Sequence, residues 1–157
     1  LFLTDKRLEA TDPDALFELI GTDAAIYDNF VLSTWLKISS EGDSAGCGLV
    51  YRWQDERNLD LAYVDLAGGF GVVQARDGEL TKNVYDFSPM VGVDVTQLLV
   101  LVRGSDVALY INGALVAEER VEAGEGRVGV ALLNYEDAAS ICTWSDIWVW
   151  ELADSAP

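Results

Sequence analysis

The sequence predicts an all-β chain, a two-sheet antiparallel jelly-roll sandwich, and three segments carry that prediction. Gly46-Cys47-Gly48-Leu49-Val50-Tyr51-Arg52-Trp53-Gln54-Asp55 reads as a strand that ends in an arginine and a polar loop. Residues 98–113 read as a hairpin that closes on Tyr110-Ile111-Asn112-Gly113, an Asn-Gly turn behind an apolar run. Cys142-Thr143-Trp144-Ser145-Asp146-Ile147-Trp148-Val149 reads as a closing strand with an aromatic-polar-Asp step.

The other elements follow from composition. Short runs rich in β-branched and aromatic residues occupy 16–20, 30–38, 46–53, 59–66, 70–76, 98–103, 107–111, 115–119, 128–133 and 141–150, each long enough for a strand and too short for a helix. Gly104-Ser105 fits a two-residue hairpin, Asn112-Gly113 fits a type I′ turn, and Gly68-Gly69 and Asp77-Gly78 mark two more. One stretch reads two ways: Asp12-Pro13-Asp14-Ala15-Leu16-Phe17 offers Asp12 as a cap and Pro13 as the first residue of a short helical turn. Internal repeats and low-complexity linkers are absent from the sequence, and 154–157 reads as a tail.

A chain of 157 residues suits one domain, here 1–157 with a core from about 15 to 151, that buries about two thirds of its unfolded surface. It begins at Leu1, and Leu1-Phe2-Leu3 is too short for the apolar region of a signal peptide, so the sequence reads as a processed piece or fragment of a larger protein. Every apolar run is interrupted well short of the roughly 20 residues that cross a bilayer as a helix, which argues against membrane insertion.

Twenty-seven acidic residues against ten basic ones give a net charge of −17, which disfavours nucleic acid and anionic membranes as partners. The acids keep an apolar-rich domain in solution, or mark a salt-adapted host. There is no histidine, which removes Ser-His and Cys-His nucleophiles, His-ligated zinc and imidazole acid–base chemistry.

Alternation assigns faces. Cys47, Leu49, Tyr51 and Trp53 share one parity and are expected in the core, while Gly46, Gly48, Val50 and Arg52 share the other. Glycines on the outer face of a middle strand leave room for close approach. In the last strand, strict alternation would bury Asp146 with Trp144, Trp148 and Trp150, so a bulge near Ser145 is expected to turn Ile147 and Val149 inward and Trp148 and Trp150 outward.

The run from Cys47 to Asp55, followed by Asn58 and Tyr63, resembles the glycine-aliphatic-aromatic-Arg-x-x-Asp … Asn-x-Tyr core of concanavalin A-like lectin/glucanase domains, in the laminin-G-like branch that accompanies bacterial sugar hydrolases. The similarity continues through Gln97-Leu98-Leu99-Val100, Tyr110-Ile111-Asn112-Gly113, Gly126-Arg127-Val128-Gly129-Val130 and Trp144-Ser145-Asp146-Ile147. It departs at Leu59-Asp60-Leu61-Ala62 and at Ser145-Asp146. The resemblance implies a concanavalin A-like sandwich in which the strands opened by Cys47 and Cys142 lie side by side or across the core, where a Cys47–Cys142 disulfide is expected and two buried free thiols are the alternative. It implies no resident cofactor; calcium is compatible with the fold at a turn such as 55–60, but dense ligand spacing is missing. Glucan-cleaving relatives carry a Glu-x-Asp-x-x-Glu strand that sets two carboxylates about 5–5.5 Å apart. This sequence lacks it, and its acidic pairs at i, i+2 are Asp12 with Asp14, Glu41 with Asp43 and Asp77 with Glu79, all at expected turns.

The reading that follows is a non-catalytic extracellular module that recognises a glycan or a protein surface. Arg52, Trp53, Asp55, Asn58, Tyr63 and Gln74, with Gln54 and Arg76, supply the aromatic and planar polar groups that sugars require, on three adjacent strands and their loops. In the competing arrangement Trp53 and Tyr63 are core aromatics and Arg52 pairs with Asp60 or Asp65. The alternative function is a structural or assembly domain of a cell-surface object, contacting other domains of its own chain or further copies through Trp148 and Trp150.

Overall fold

The computed structural model describes residues 4–21, 25–91 and 94–153; the Leu1-Phe2-Leu3 segment and the expected tail lie outside them. Among the described residues there are twelve strands and no helix: β1 (Thr4–Ala10), β2 (Asp14–Leu19), β3 (Phe30–Ser40), β4 (Ala45–Asp55), β5 (Asn58–Asp65), β6 (Gly69–Arg76), β7 (Glu79–Phe87), β8 (Thr96–Arg103), β9 (Asp106–Ile111), β10 (Ala114–Arg120), β11 (Arg127–Asn134) and β12 (Ser140–Glu151). They form two six-stranded antiparallel sheets, sheet 1 in the order β1-β12-β3-β8-β9-β10 and sheet 2 in the order β2-β11-β4-β5-β6-β7.

The ambiguous stretch after Asp12 resolves as strand, because Leu16 and Phe17 find backbone partners in Leu132 and Ala131 of β11 and a short capped turn has no comparable ladder to offer. The Asn-Gly reading holds: Asn112 and Gly113 have φ of 50° and 83°, the two left-handed residues a type I′ turn needs. Asp77 and Gly78, at 53° and 84°, repeat the pattern.

The core lies between the sheets. Phe30, Leu32 and Leu36 of β3 and Leu98 and Val100 of β8 face Cys47, Leu49 and Tyr51 of β4, all essentially without solvent contact. Cys47 and Cys142 are joined, with Cα atoms 5.8 Å apart, so the bridge ties β4 of sheet 2 to β12 of sheet 1. Beside it the Trp144 indole N–H crosses the same gap and donates to the Gly48 carbonyl at 3.2 Å, satisfying its polar edge in an apolar setting.

The expected bulge in β12 is present. Its register with β3 shifts between Ser145 and Trp148, and Asp146 adopts φ 51°. The Thr34 hydroxyl donates to the Ser145 carbonyl at 3.0 Å, and the Asp146 N–H donates to an Asp5 carboxylate oxygen at 2.9 Å. Ile147 and Val149 are buried, Trp148 is half-buried and Trp150 is 54% exposed on the outer face of sheet 1.

One expectation about faces is corrected. Trp53 does not share the core with Cys47, Leu49 and Tyr51. The pairing of β4 with β5 shifts between Tyr51 and Asp55, and Arg52 sits at φ 51°. That second bulge swings Trp53 to the outer side of sheet 2, where its ring meets Phe17 at 5.4 Å.

Candidate functional site

The outer face of sheet 2 carries a second apolar cluster, formed by Val50, Leu59, Leu61, Tyr63, Val73 and Leu133, with Phe17 and Trp53 packed against it. Over it runs a groove of about 490 Å³, walled by Phe17 of β2 on one side and by Leu80, Lys82 and Tyr85 of β7 on the other, with Tyr135 and Glu56 also lining it. The glycines of this face make the floor possible. A Cβ on Gly71 would stand 2.6 Å from the Tyr63 ring, and one on Gly48 would strike the Tyr63 backbone and Cβ. What approaches the thinned surface is therefore the molecule's own Tyr63.

Three tyrosines meet the Asp65 carboxylate in this groove. Tyr63 and Tyr85 stack with ring centres 6.4 Å apart, and the Tyr85 hydroxyl donates to Asp65 at 2.5 Å. That hydrogen bond, with lesser help from burial and from the Asp65 charge, pushes the Tyr85 pKa up to about 12. The Asp65 carboxylate also accepts the N–H groups of Ala67 and Gly69 at 3.0 and 2.8 Å, which fixes it from the turn below. Lys82 lies 5.3 Å from the Tyr85 ring centre, in cation–π range. Tyr135, half exposed, has its hydroxyl pKa raised by loss of hydration and then by Tyr63, Asp65 and Tyr85 nearby. The groove thus joins an apolar floor to aromatic edges and hydrogen-bonding groups, the combination that holds ligands with both C–H faces and hydroxyls.

The six residues expected at the site do not share one surface. Tyr63 is in the groove floor, and Trp53 flanks the same cluster beside Phe17. Asp55 and Asn58 sit in the β4–β5 turn, bonded to each other at 3.0 Å. That bond and the Arg57 N–H hold the Asp55 carboxyl below the usual carboxylate range. Arg52 and Gln74 lie on the inner side of sheet 2: Tyr51, Asp60 and Gln74 form one row across β4, β5 and β6. Of the competing partners for Arg52 it is Asp60 that pairs, at 3.5 Å, and Asp60 also holds Arg76 at 2.8 Å. Burial lifts the Asp60 carboxyl above its ordinary pKa, against the pull of Arg76, Arg52 and Gln74.

At the 55–60 turn, where calcium is compatible with the fold, the Asp55 and Asp60 side chains already have partners. Asp55 is spent on Asn58 and Arg57, Asp60 faces two guanidinium groups, and no group of three acidic or thiol side chains among the described residues is arranged to hold a metal ion.

The sequence pattern does not single out Tyr85 and Tyr135. Tyr85 belongs to β7, whose mixture of charged and apolar residues gave no strand signal; the alternation Tyr85, Phe87 within Asn83-Val84-Tyr85-Asp86-Phe87 was the available clue. Tyr135 follows β11 in a loop and had no signal of its own.

With this geometry in place, the fold can be compared with known structures. No protein-family model matches the chain, and no curated protein does. The carbohydrate binding module CBM66 from Bacillus subtilis superposes with a TM-score of 0.72 at 19% identity, covering 90% of this chain and 84% of that one. Galectin-11 of sheep gives 0.58 at 8% identity, over 88% and 98% of the two chains. A β-glucanase of Bacillus licheniformis gives 0.64 at 10% identity, over 95% and 79%. The chain has the concanavalin A-like jelly-roll fold of the lectins and glucanases. At these identities the likeness concerns the fold, a scaffold on which function resides in individual sites.

Proposed function

We propose that the domain is a non-catalytic extracellular module that binds a carbohydrate in the groove of sheet 2. The observation that carries the reading is the meeting of Tyr63, Tyr85 and Tyr135 with Asp65 over an apolar floor. Aromatic faces suit the C–H surfaces of a sugar ring, and the fixed hydrogen-bonding edge suits its hydroxyls. The similarity to structures named as a carbohydrate binding module and as a galectin supports the same reading. The Cys47–Cys142 bridge supports an oxidising compartment.

The test is isothermal titration against the oligosaccharides that score on a glycan array, repeated with Tyr85→Ala and Tyr135→Ala. Both side chains are at least one-third exposed, so the fold is expected to survive, and each variant should lose about 1–3 kcal/mol of affinity, the scale of a stacking contact and its unmatched polar partner. Unchanged affinity in both folded variants would remove the groove from consideration.

A second reading rests on the other sheet. Trp148, Ser33, Leu99 and Tyr110 form one row across sheet 1, and Trp150, Val31, Leu101 and Ala108 the next. This aromatic-rich outer face, with Trp35 at 42% and Trp150 at 54% exposure, suits a structural or assembly role through protein contacts. Concentration-dependent self-association in sedimentation, with no glycan hit, would favour it.

A further inference from the structure

We propose that a polar recess at the end of the sandwich is a second binding site, independent of the groove, that takes one neutral polyhydroxylated ring. The recess has a volume of about 160 Å³ and is lined by Arg52, Gln54, Asn58, Arg76, Glu122 and Glu125 with the backbone between the last two. It is formed by the ends of β4, β5 and β6 and by the loop from β10 to β11.

Its deepest member is built under constraint. Arg52 is 3% exposed and holds φ 51°, a conformation a non-glycine residue keeps only where its surroundings impose it, as at ligand clamps. One terminal nitrogen of its guanidinium donates to the Glu122 carbonyl at 2.9 Å, and the other donates to the Gly104 carbonyl. The first bond anchors the loop that forms the far wall, and the second reaches the β8–β9 turn. A Cβ on Gly126 would collide with the Arg52 backbone, so the loop is seated on the bulge itself.

Two buried polar atoms around this network have no partner. They are the Arg52 Nε–H and the Tyr51 hydroxyl; the Arg52 charge pulls the Asp60 pKa down, and the Asp60 charge helps to raise that of Tyr51. Orphans of this kind are rare in native interiors and call for a specific cause.

The rim offers complementary chemistry. Arg76 is tied by one terminal nitrogen to Asp60 and to the Leu59 and Ala75 carbonyls, while its Nε lies 3.5 Å from a Glu122 carboxylate oxygen. A guanidinium edge and a carboxylate side by side match adjacent hydroxyls of one ring, the first donating and the second accepting. The Gln54 and Asn58 amides extend that surface with both kinds of group.

Charge and size narrow the class. Asp60, Glu122 and Glu125 outweigh Arg52 and Arg76 by one negative charge, on a chain that already carries −17, so uronates and phosphates are disfavoured. No aromatic residue lines the recess, so a ligand is held by hydrogen bonds and not by stacking. The volume is a third of the groove's and admits a single ring.

The experiment follows the arginine Nε–Hε signals in proton–nitrogen spectra of the 157-residue chain. The probes are methyl glycosides of neutral hexoses and pentoses and myo-inositol, with glucuronate as the anionic control. Saturable shifts at Arg52 and Arg76 with a neutral probe are expected, weakened at least about tenfold in Glu122→Gln and unchanged in Tyr85→Ala. Glu122 is a 72%-exposed side chain, so its replacement is expected to leave the fold intact. A disaccharide of the responding sugar separates sources: retained binding assigns the end of a chain, loss assigns the free ring, and both keep the site. The proposal is overturned by the absence of a saturable shift at about 50 mM of every neutral probe, by preference for glucuronate, or by equal affinity in Glu122→Gln. Loss of groove binding in Tyr85→Ala beside intact shifts at Arg52 shows that the two sites stand or fall separately.

Discussion

Replacing both cysteines, Cys47→Ala with Cys142→Ala, gives the sharpest test of how this sandwich is held together. The bridge joins positions 95 residues apart, and in the chain-entropy description a loop of about that length denies the unfolded chain roughly 4.7 kcal/mol. A 157-residue domain carries about 8–24 kcal/mol in total at the usual stability per residue, so the double variant should still fold at room temperature. At about 2–4 °C per kcal/mol for a domain of this size, its melting temperature should drop by about 10–20 °C. Both thiol positions are fully buried, so the lost sulfur contacts push the figure toward the upper end. Circular dichroism melts of wild type and variant read the shift directly, and thiol titration of denatured, unreduced wild type should find no free sulfhydryl. A drop under about 5 °C would refute the entropic reasoning, and two titratable thiols would remove the bridge itself.

Asp60→Asn should destabilise by about 3–5 kcal/mol, because it strips the buried Arg52 of its counter-charge; urea midpoints check this, and a loss below about 1 kcal/mol would mean the pair is replaceable. Tyr85 has a folded pKa raised from 10.0 to about 12, so its contribution is complete below pH 10 and drains away as pH rises toward 12; the stability gap between wild type and Tyr85→Phe should close over that interval in urea unfolding, and a gap independent of pH would contradict the Asp65 hydrogen bond. Chelation with EDTA should leave the melting temperature and glycan affinity unchanged, and a fall in either would point to calcium. Trp148→Ala with Trp150→Ala should leave glycan affinity unchanged in titration calorimetry, and a loss would move the site to sheet 1.

Strands that enclose the core were legible because their residues alternate against a buried face. β1 and β7 were not: Thr4-Asp5-Lys6-Arg7-Leu8-Glu9-Ala10 and Glu79-Leu80-Thr81-Lys82-Asn83-Val84-Tyr85-Asp86-Phe87 lie at sheet edges, where solvent tolerates charge on the outer side. The bulge at Asp146 could be read because unbroken alternation would have buried a carboxylate among tryptophans. That at Arg52 could not, since the run from Gly46 to Trp53 alternates without conflict and the cause of the turn, Asp60 and the loop carbonyls, lies elsewhere in the sequence. For the same reason the site was half visible: the glycines announced a close approach over β4, but not that Tyr63 itself would fill it.

The pairing of β1 with β12 sets how the domain would bear load. Thr4 lies against Ile147 and Ala10 against Ser140, so the chain enters and leaves at one end of the same antiparallel pair. Tension applied through the two termini would open that pair rung by rung from Thr4 inward, since the load falls on a single ladder step at a time and is not shared along the strand. Once β1 has peeled, the load passes to β2, the edge strand of sheet 2, and the Cys47–Cys142 bond keeps it out of the segment between those two positions. A domain arranged this way yields early at its edge while Tyr63, Tyr85 and Tyr135, and the recess residues from Arg52 to Glu125, stay inside a covalently closed segment.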